Sequence, residues 1–143
     1  MSRAASPDNA SRRRLVALAA MLATIALGLA SRHWPDALPA ILGKYPGDAL
    51  WATMVFFGTC ALRPHAATRE VAAIAASVCV AVEVAKLWQA PWLVAFRHTT
   101  IGHLLLGHVF SWQNLVAYGV GVLAGATLAR LLPEAGSRPL AEH

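Results

Sequence analysis

The sequence predicts an all-α integral membrane protein: four transmembrane helices, with a short interfacial or re-entrant helix between the third and the fourth. Three observations predict it. Of the 143 residues, 57% are hydrophobic and 13% charged, whereas a soluble domain carries about 45–50% and about 25%. The apolar excess is gathered into blocks at residues 15–30, 47–62, 71–88 and 114–132, with a shorter block at 101–110. Arginine and tryptophan then fall at opposite ends of these blocks, as the two faces of a membrane would sort them.

A hydrocarbon core of about 30 Å takes roughly 20 helical residues. Block 15–30 follows Arg12, Arg13 and Arg14, an order of charge then apolar run that a signal peptide shares. No small-residue cleavage site stands before Ser31-Arg32-His33, so the block is expected to remain as the first helix. Blocks 15–30 and 47–62 are short for a span and must borrow flanking residues or sit in thinned lipid. Blocks 71–88 and 114–132 reach the required length. Block 101–110 is too short to cross, and so becomes the interfacial or re-entrant helix. Around this membrane domain, 15–132, residues 1–14 form a basic tail and residues 133–143 a second tail. A very apolar soluble helical bundle is the competing architecture.

Lys and Arg collect on cytoplasmic loops. With the N-terminus inside, the inner segments hold Arg3, Arg12, Arg13, Arg14, Arg63, Arg69, Arg130 and Arg138. The outer segments hold Arg32, Lys44, Lys86 and Arg97, which makes eight against four. Both tails are then cytoplasmic. Trp34, Trp51, Trp88, Trp92, Trp112 and Tyr45 all come to the outer ends, where a ring with one apolar and one polar part sits best. The long connections, 31–46 and 89–113, are outer as well, while the inner connection 63–70 is short. Function is expected on the elaborated side.

Helical faces sharpen that expectation. At roughly 100° per residue, Ala72, Ala76, Cys79, Glu83 and Lys86 fall within about 80° of arc, opposite Ile74, Val78 and Val82. Small residues permit close helix approach, so this face, and Glu83 with it, is expected to turn into the bundle. Asn114, Tyr118, Gly121 and Gly125 share about 60° of the last span. Ala117, Gly121, Gly125 and Ala129 make a small-xxx-small row, read as packing within the chain against the Glu83 side. Ser111 has the chemistry of an N-cap for that helix.

An ionisable group at mid-span costs about 2.5–3.5 kcal/mol on insertion scales, and such groups are paired or functional. Glu83 lies about 7–8 Å below the outer end of its helix, with Lys86 at i+3 where an ion pair forms. Asp48 heads the second span at the same level, and Arg97, Thr99, Thr100 and Asn114 come from neighbouring outer segments. The expectation is a polar cluster beneath the 89–113 connection. Its plain alternative is structural: a Glu83–Lys86 pair that sets helix register, Asp48 as an N-cap and Arg97 as an interface anchor.

Other chemistries find little support. The +5 net charge is spread as topology signals and forms no nucleic-acid patch. Cys60 and Cys79 lie inside predicted spans without metal-ligand spacing and read as apolar fillers. His98, His103 and His108, five apart, would scatter over a helix surface, and no HExxH motif is present. No Walker loop, Rossmann glycine pattern or nucleophile–base pair occurs, so neither a cofactor nor a catalytic residue is assigned.

Gly43-Lys44-Tyr45, Gly47-Asp48-Ala49-Leu50-Trp51, Glu83, Pro91-Trp92, Arg97-x-Thr99, Gly102-x-x-Leu105-Leu106-Gly107 and Phe110-Ser111-Trp112 occur in that order. With Tyr118 and Gly121 they resemble the bacterial membrane family called domain of unknown function 2809, over about residues 15–132. The resemblance implies a small multi-span protein of the bacterial inner membrane whose activity is not established. The chain is also distantly similar to VanZ-like proteins, whose pattern falls on Glu83, Arg97, Asn114 and Gly121. Two positions depart from it: Lys86 stands where Gln is typical, and Asn114 where Asp is frequent. Both changes make the cluster more cationic and favour a standing Glu83–Lys86 pair over a relay between two carboxylates.

The expected function is binding or sensing a small or lipid-linked envelope molecule in an outward-facing polar pocket, with Glu83, Lys86, Arg97, Asp48, Asn114 and Tyr118 as its residues. One alternative is a small transporter or ion-coupled permease subunit in which Glu83 titrates. Another is a structural membrane partner without a ligand.

Overall fold

The computed structural model describes residues 7–132, and every element in it is helical. The tail 133–143 and the first six residues of the basic tail lie outside the described residues. Helix α1 spans Pro7–His33, with proline in its first turn and Asp8 placed to complement the helix dipole. It starts well before the expected residue 15 and takes in Arg12, Arg13 and Arg14. Alanine and arginine are strong helix formers, so nothing stops the helix at the edge of the apolar block. Pro35 ends it, and two 3-10 turns, Pro35–Ala37 and Ala40–Leu42, lead to α2.

Helix α2, Tyr45–Leu62, opens with Pro46 in its first turn and stops at Arg63, just before Pro64. Helix α3, Thr68–Ala85, has Glu70 in its first turn and ends at Lys86. The expected short helix over 101–110 is α5 at Thr100–Leu106, which stops four residues early, and a further short helix, α4 at Pro91–Arg97, precedes it in the same connection. Thr99 separates them: its hydroxyl donates to Phe96 O at 2.7 Å and accepts from Gly102 N at 3.0 Å, capping α5. A side chain at Gly102 would strike the Phe96 carbonyl, which is how closely α5 turns back on α4. Helix α6, Trp112–Leu131, completes the fold. Ser111 occupies its N-cap position, but the hydroxyl bonds Gln113 Oε1 at 2.6 Å and makes no capping bond.

The core lies between α2, α3 and α6, built from Phe56, Phe57, Val71, Ala75, Cys79, Tyr118 and Val122. Helix α1 packs along α2. The glycine row of α6 packs within the chain, against α2 and not the Glu83 side of α3. A Cβ at Gly121 would lie 2.0 Å from Ala49 O, and one at Gly125 would lie 2.8 Å from the Phe56 ring. Thr53 pins the same crossing by donating to Gly121 O at 2.8 Å and Ala49 O at 3.0 Å. Ala117 is buried at this interface, and Ala129 packs at the far end of the core.

The ends of the bundle differ in chemistry. At one, Arg14 donates to Ala61 O at 3.0 Å, closing a carbonyl that the last turn of α2 leaves free, and Arg13 donates to Pro64 O at 3.3 Å in the connection that follows. At the other end sit the last turn of α1, the first turns of α2 and α6, and the end of α3, with the tryptophans among them. Two helices, Asp8–His33 and Trp112–Leu131, are long and apolar enough to cross a membrane. Helix α3 carries Arg69, Glu70 and Glu83, and α2 begins with the polar turn Tyr45-Pro46-Gly47-Asp48, so neither stands in that class by itself.

Because a backbone carbonyl fills the space beside Gly121, Gly121→Ala forces α2 and α6 apart. The expected loss is about 1–3 kcal/mol, the usual range for overpacking. Gly119→Ala, with open space around it, does not lower the thermal midpoint in detergent and should raise it slightly, since alanine favours the helix.

Candidate functional site

Glu83 has no exposed surface. A buried carboxylate is tolerable only when its lone pairs are taken up by donors, and here each oxygen receives two. Lys86 Nζ lies 2.5 Å from Oε2, and the Tyr118 hydroxyl donates to the same oxygen at 3.1 Å. Ser111 N donates to Oε1 at 2.7 Å and Asn114 Nδ2 at 3.2 Å. Lys86, only 5% exposed, also reaches the Tyr118 hydroxyl at 3.4 Å. The i+3 spacing that forms the ion pair is local to α3; the other donors arrive because α6 starts beside it.

Arg97 goes elsewhere. It is 2% exposed and donates to Trp88 O at 3.0 Å and to Ala85 O. With Gln89, which donates to Lys86 O at 2.8 Å, it closes the carbonyls at the end of α3. Its place is therefore a cap from α4, and it does not line the cavity described next.

Above the Glu83 network lies a cavity of about 400 Å³. Arg32 from α1, Asp48 and Trp51 from α2, Lys86 from α3, and Asn114 and Tyr118 from α6 line it, with Lys44 at its edge and residues 103–109 above. Gly107 adopts φ +64°, a left-handed turn open to glycine, and brings the backbone down on Lys86. Three buried polar atoms on these lining residues have no hydrogen-bond partner: Asp48 Oδ2, Trp51 Nε1 and Asn114 Oδ1. Asn114 thus spends its amide nitrogen on Glu83 and leaves its oxygen unmatched. Buried polar atoms are normally satisfied, so three on one cavity mark a place suited to a polar occupant.

The structure brings together five of the six expected residues, Glu83, Lys86, Asp48, Asn114 and Tyr118, and withdraws Arg97. It adds Trp51, whose ring lies 5.4 Å from that of Tyr118, together with Arg32, Lys44 and the Ser111 amide. Trp51 stands one helical turn after Asp48, a spacing visible in the sequence; the Ser111 amide carries no side-chain signal at all.

The histidines are also corrected. His108 stacks on His103 with centroids 4.5 Å apart and lies 5.1 Å from His98. The scatter expected for one continuous helix fails because α5 stops at Leu106 and Gly107 reverses the chain. Among the described residues, no group of three or more His, Cys, Asp and Glu side chains is arranged to hold a metal ion.

The family model described as Protein of unknown function (DUF2809) matches residues 37–122. The chain belongs to that family. The matched DUF2809 segment contains the whole Glu83 network, Asp48, Trp51 and the Gly121 crossing, and leaves out α1 with Arg32. No solved structure matches the chain.

Glu83→Gln leaves the Lys86 ammonium buried without a counter-charge. The expected cost is about 3–5 kcal/mol, read as a lower thermal midpoint, and Glu83→Gln with Lys86→Met recovers most of it. A second expectation concerns acid. Loss of water around the ring, then the charges of His103, His98 and Arg97, hold the His108 pKa below its ordinary 6.5. The unfolded chain therefore binds the proton more readily, and the contribution to stability is present above that value and lost as pH falls through it. Melting curves between about pH 8 and pH 5 should show a slope on the acid side that His108→Gln reduces.

Proposed function

We propose that this chain is a four-span protein of the bacterial inner membrane, both tails cytoplasmic, whose outward-facing cavity binds a small or lipid-linked envelope molecule. Large apolar side chains cover the outside of all four long helices, among them Leu22, Leu62, Val84 and Leu123. A surface so apolar suits lipid contact. Helices α2 and α3 join the two helices of spanning length as an antiparallel bundle, and their polar ends then reach the interface. The arginine end corresponds to the cytoplasm and the tryptophan end to the envelope side.

One observation carries the binding reading: Asp48 Oδ2, Trp51 Nε1 and Asn114 Oδ1 are buried and unpartnered, and all three belong to residues that line a single cavity. Each unmatched group costs about 1–3 kcal/mol. A site serving only packing would gain from apolar replacements there. The permease alternative asks Glu83 to exchange a proton with the outside, and its two oxygens are out of contact with solvent and already engaged by four donors, one of them an ammonium. A structural partner without a ligand would leave the three unmatched atoms without a use.

The test is thermal stability in mild detergent with an extract of bacterial envelope lipids and lipid-linked intermediates. The extract should raise the midpoint of the wild type, by about 2.7 kcal/mol when the ligand stands at a hundred times its Kd. The double variant Asp48→Ala, Trp51→Phe should melt no lower than wild type in plain detergent and lose the response. An equal response from both proteins would exclude the cavity as the binding site, and no response from the wild type would favour the structural partner.

A further inference from the structure

We propose that the occupant is a phosphorylated polyol, its hydroxyls against Asp48, Asn114 and Trp51 and its phosphate at the mouth between Arg32 and Lys44. This rests on the binding reading above and names the ligand class. The three unmatched atoms define complementary chemistry: Asp48 Oδ2 and Asn114 Oδ1 accept, and Trp51 Nε1 donates. An ammonium would satisfy both acceptors, but not the indole, and would meet Lys86, Arg32 and Lys44 on the same walls. A bare phosphate or carboxylate would satisfy the indole and repel Asp48. A hydroxyl donates and accepts through one atom, so adjacent hydroxyls on one carbon skeleton serve all three positions. Asn114 is 2% exposed and its amide nitrogen is committed to Glu83, which fixes the side chain with its oxygen unmatched.

Charge supplies the second half. Lys86 is neutralised by Glu83, so the lining leaves Arg32 and Lys44 against the single carboxylate of Asp48. Among the described residues neither the Arg32 nor the Lys44 side chain makes a hydrogen bond or a close ion pair; both are exposed at the mouth and act on Asp48 only through space. The Arg32 guanidinium lies over the first turn of α2, 3.5 Å from where a Cβ on Gly47 would stand. Arginine pairs with phosphate oxygens through two parallel N–H bonds, and lysine adds a point charge. The cavity, about 400 Å³, falls at the small end of the usual range of about 300–1,000 Å³. That size suits a headgroup, with any acyl or prenyl chain left to the lipid beside the mouth. The same chemistry occurs in a soluble sugar phosphate and in the headgroup of a phosphoglycolipid or phosphatidylglycerol.

The experiment measures thermal shifts of the full chain with two sets of probes. In detergent these are glucose 1-phosphate, glucose and inorganic phosphate; in nanodiscs they are phosphatidylglycerol, phosphatidic acid and phosphatidylcholine. Glucose 1-phosphate, phosphatidylglycerol or both should stabilise the wild type, each above its partners that lack the hydroxyls or the phosphate. A shift with the soluble probe assigns recognition to the headgroup alone, and a shift only in nanodiscs assigns a lipid-borne ligand. Asp48→Ala should reduce the response to that given by the phosphate-only probe. Arg32→Gln with Lys44→Gln should weaken apparent affinity at least tenfold and flatten its dependence on salt. Equal shifts from inorganic phosphate or phosphatidic acid would overturn the polyol assignment. No shift with any of these probes, while the envelope extract still stabilises the wild type, would overturn the ligand class and leave the cavity as the site. Failure of the extract as well would overturn the binding reading itself.

Discussion

Glu83 is a carboxylate with no access to solvent, and the upper half of the bundle is arranged around meeting its demand for donors. Removing such a group from water costs several kcal/mol, and the return comes only if the geometry of every partner is right. Lys86 can be supplied by α3 alone. The remaining donors require α6 to begin beside the end of α3, with Ser111 N, Asn114 and Tyr118 all turned to one point. That condition sets where α6 starts and how it rotates. It also explains why Asn114 keeps an unmatched oxygen: its amide nitrogen is held by Glu83, and no donor meets the oxygen on the other side.

The cationic residues divide by task. Arg14 closes the end of α2, Arg13 holds the connection behind it, Arg97 closes the end of α3, and Lys86 neutralises Glu83. Helix ends present free carbonyls wherever a chain reverses direction, and a bundle with short connections has several such ends near apolar surroundings. On the cavity side Arg32 and Lys44 bring two positive charges against the one carboxylate of Asp48, on which both act. Residual charge, not total charge, therefore describes what the mouth can attract. The same reasoning separates Asp48 from Glu83: one carboxylate is fully satisfied and serves the architecture, and the other has an unmatched oxygen and serves the cavity.

Small residues make this arrangement possible. At Gly121 and Gly125 the α2 and α6 backbones come close enough that a methyl group would collide with Ala49 O or the Phe56 ring. The close crossing below brings Asp48 and Trp51 on α2 within reach of Asn114 and Tyr118 on α6 above. Gly107 contributes in a different way, since its left-handed turn lays residues 103–109 over Lys86 and stacks the histidines. Packing at the level of the glycines thus sets the width of a site made from other residues.

Period and composition alone determined the helical class, the four long apolar segments, the inward face of α3 and the Glu83–Lys86 pair. Each depends on spacing within one helix, which roughly 100° per residue converts directly into geometry. The gathering of tryptophan at one end follows from the same alternation of segments. Tertiary structure decided the rest. Whether Arg97 joins the cluster or caps α3 depends on where α4 docks, and the helix in 101–110 stops at Leu106 because Gly107 takes a left-handed turn that an apolar count does not register. The partner of the glycine row, the backbone donor at Ser111 and the three unmatched atoms around the cavity all arise from contacts between segments far apart in the chain. No local pattern encodes those contacts, because what each group lacks or gains is fixed by its neighbour and not by its own helix.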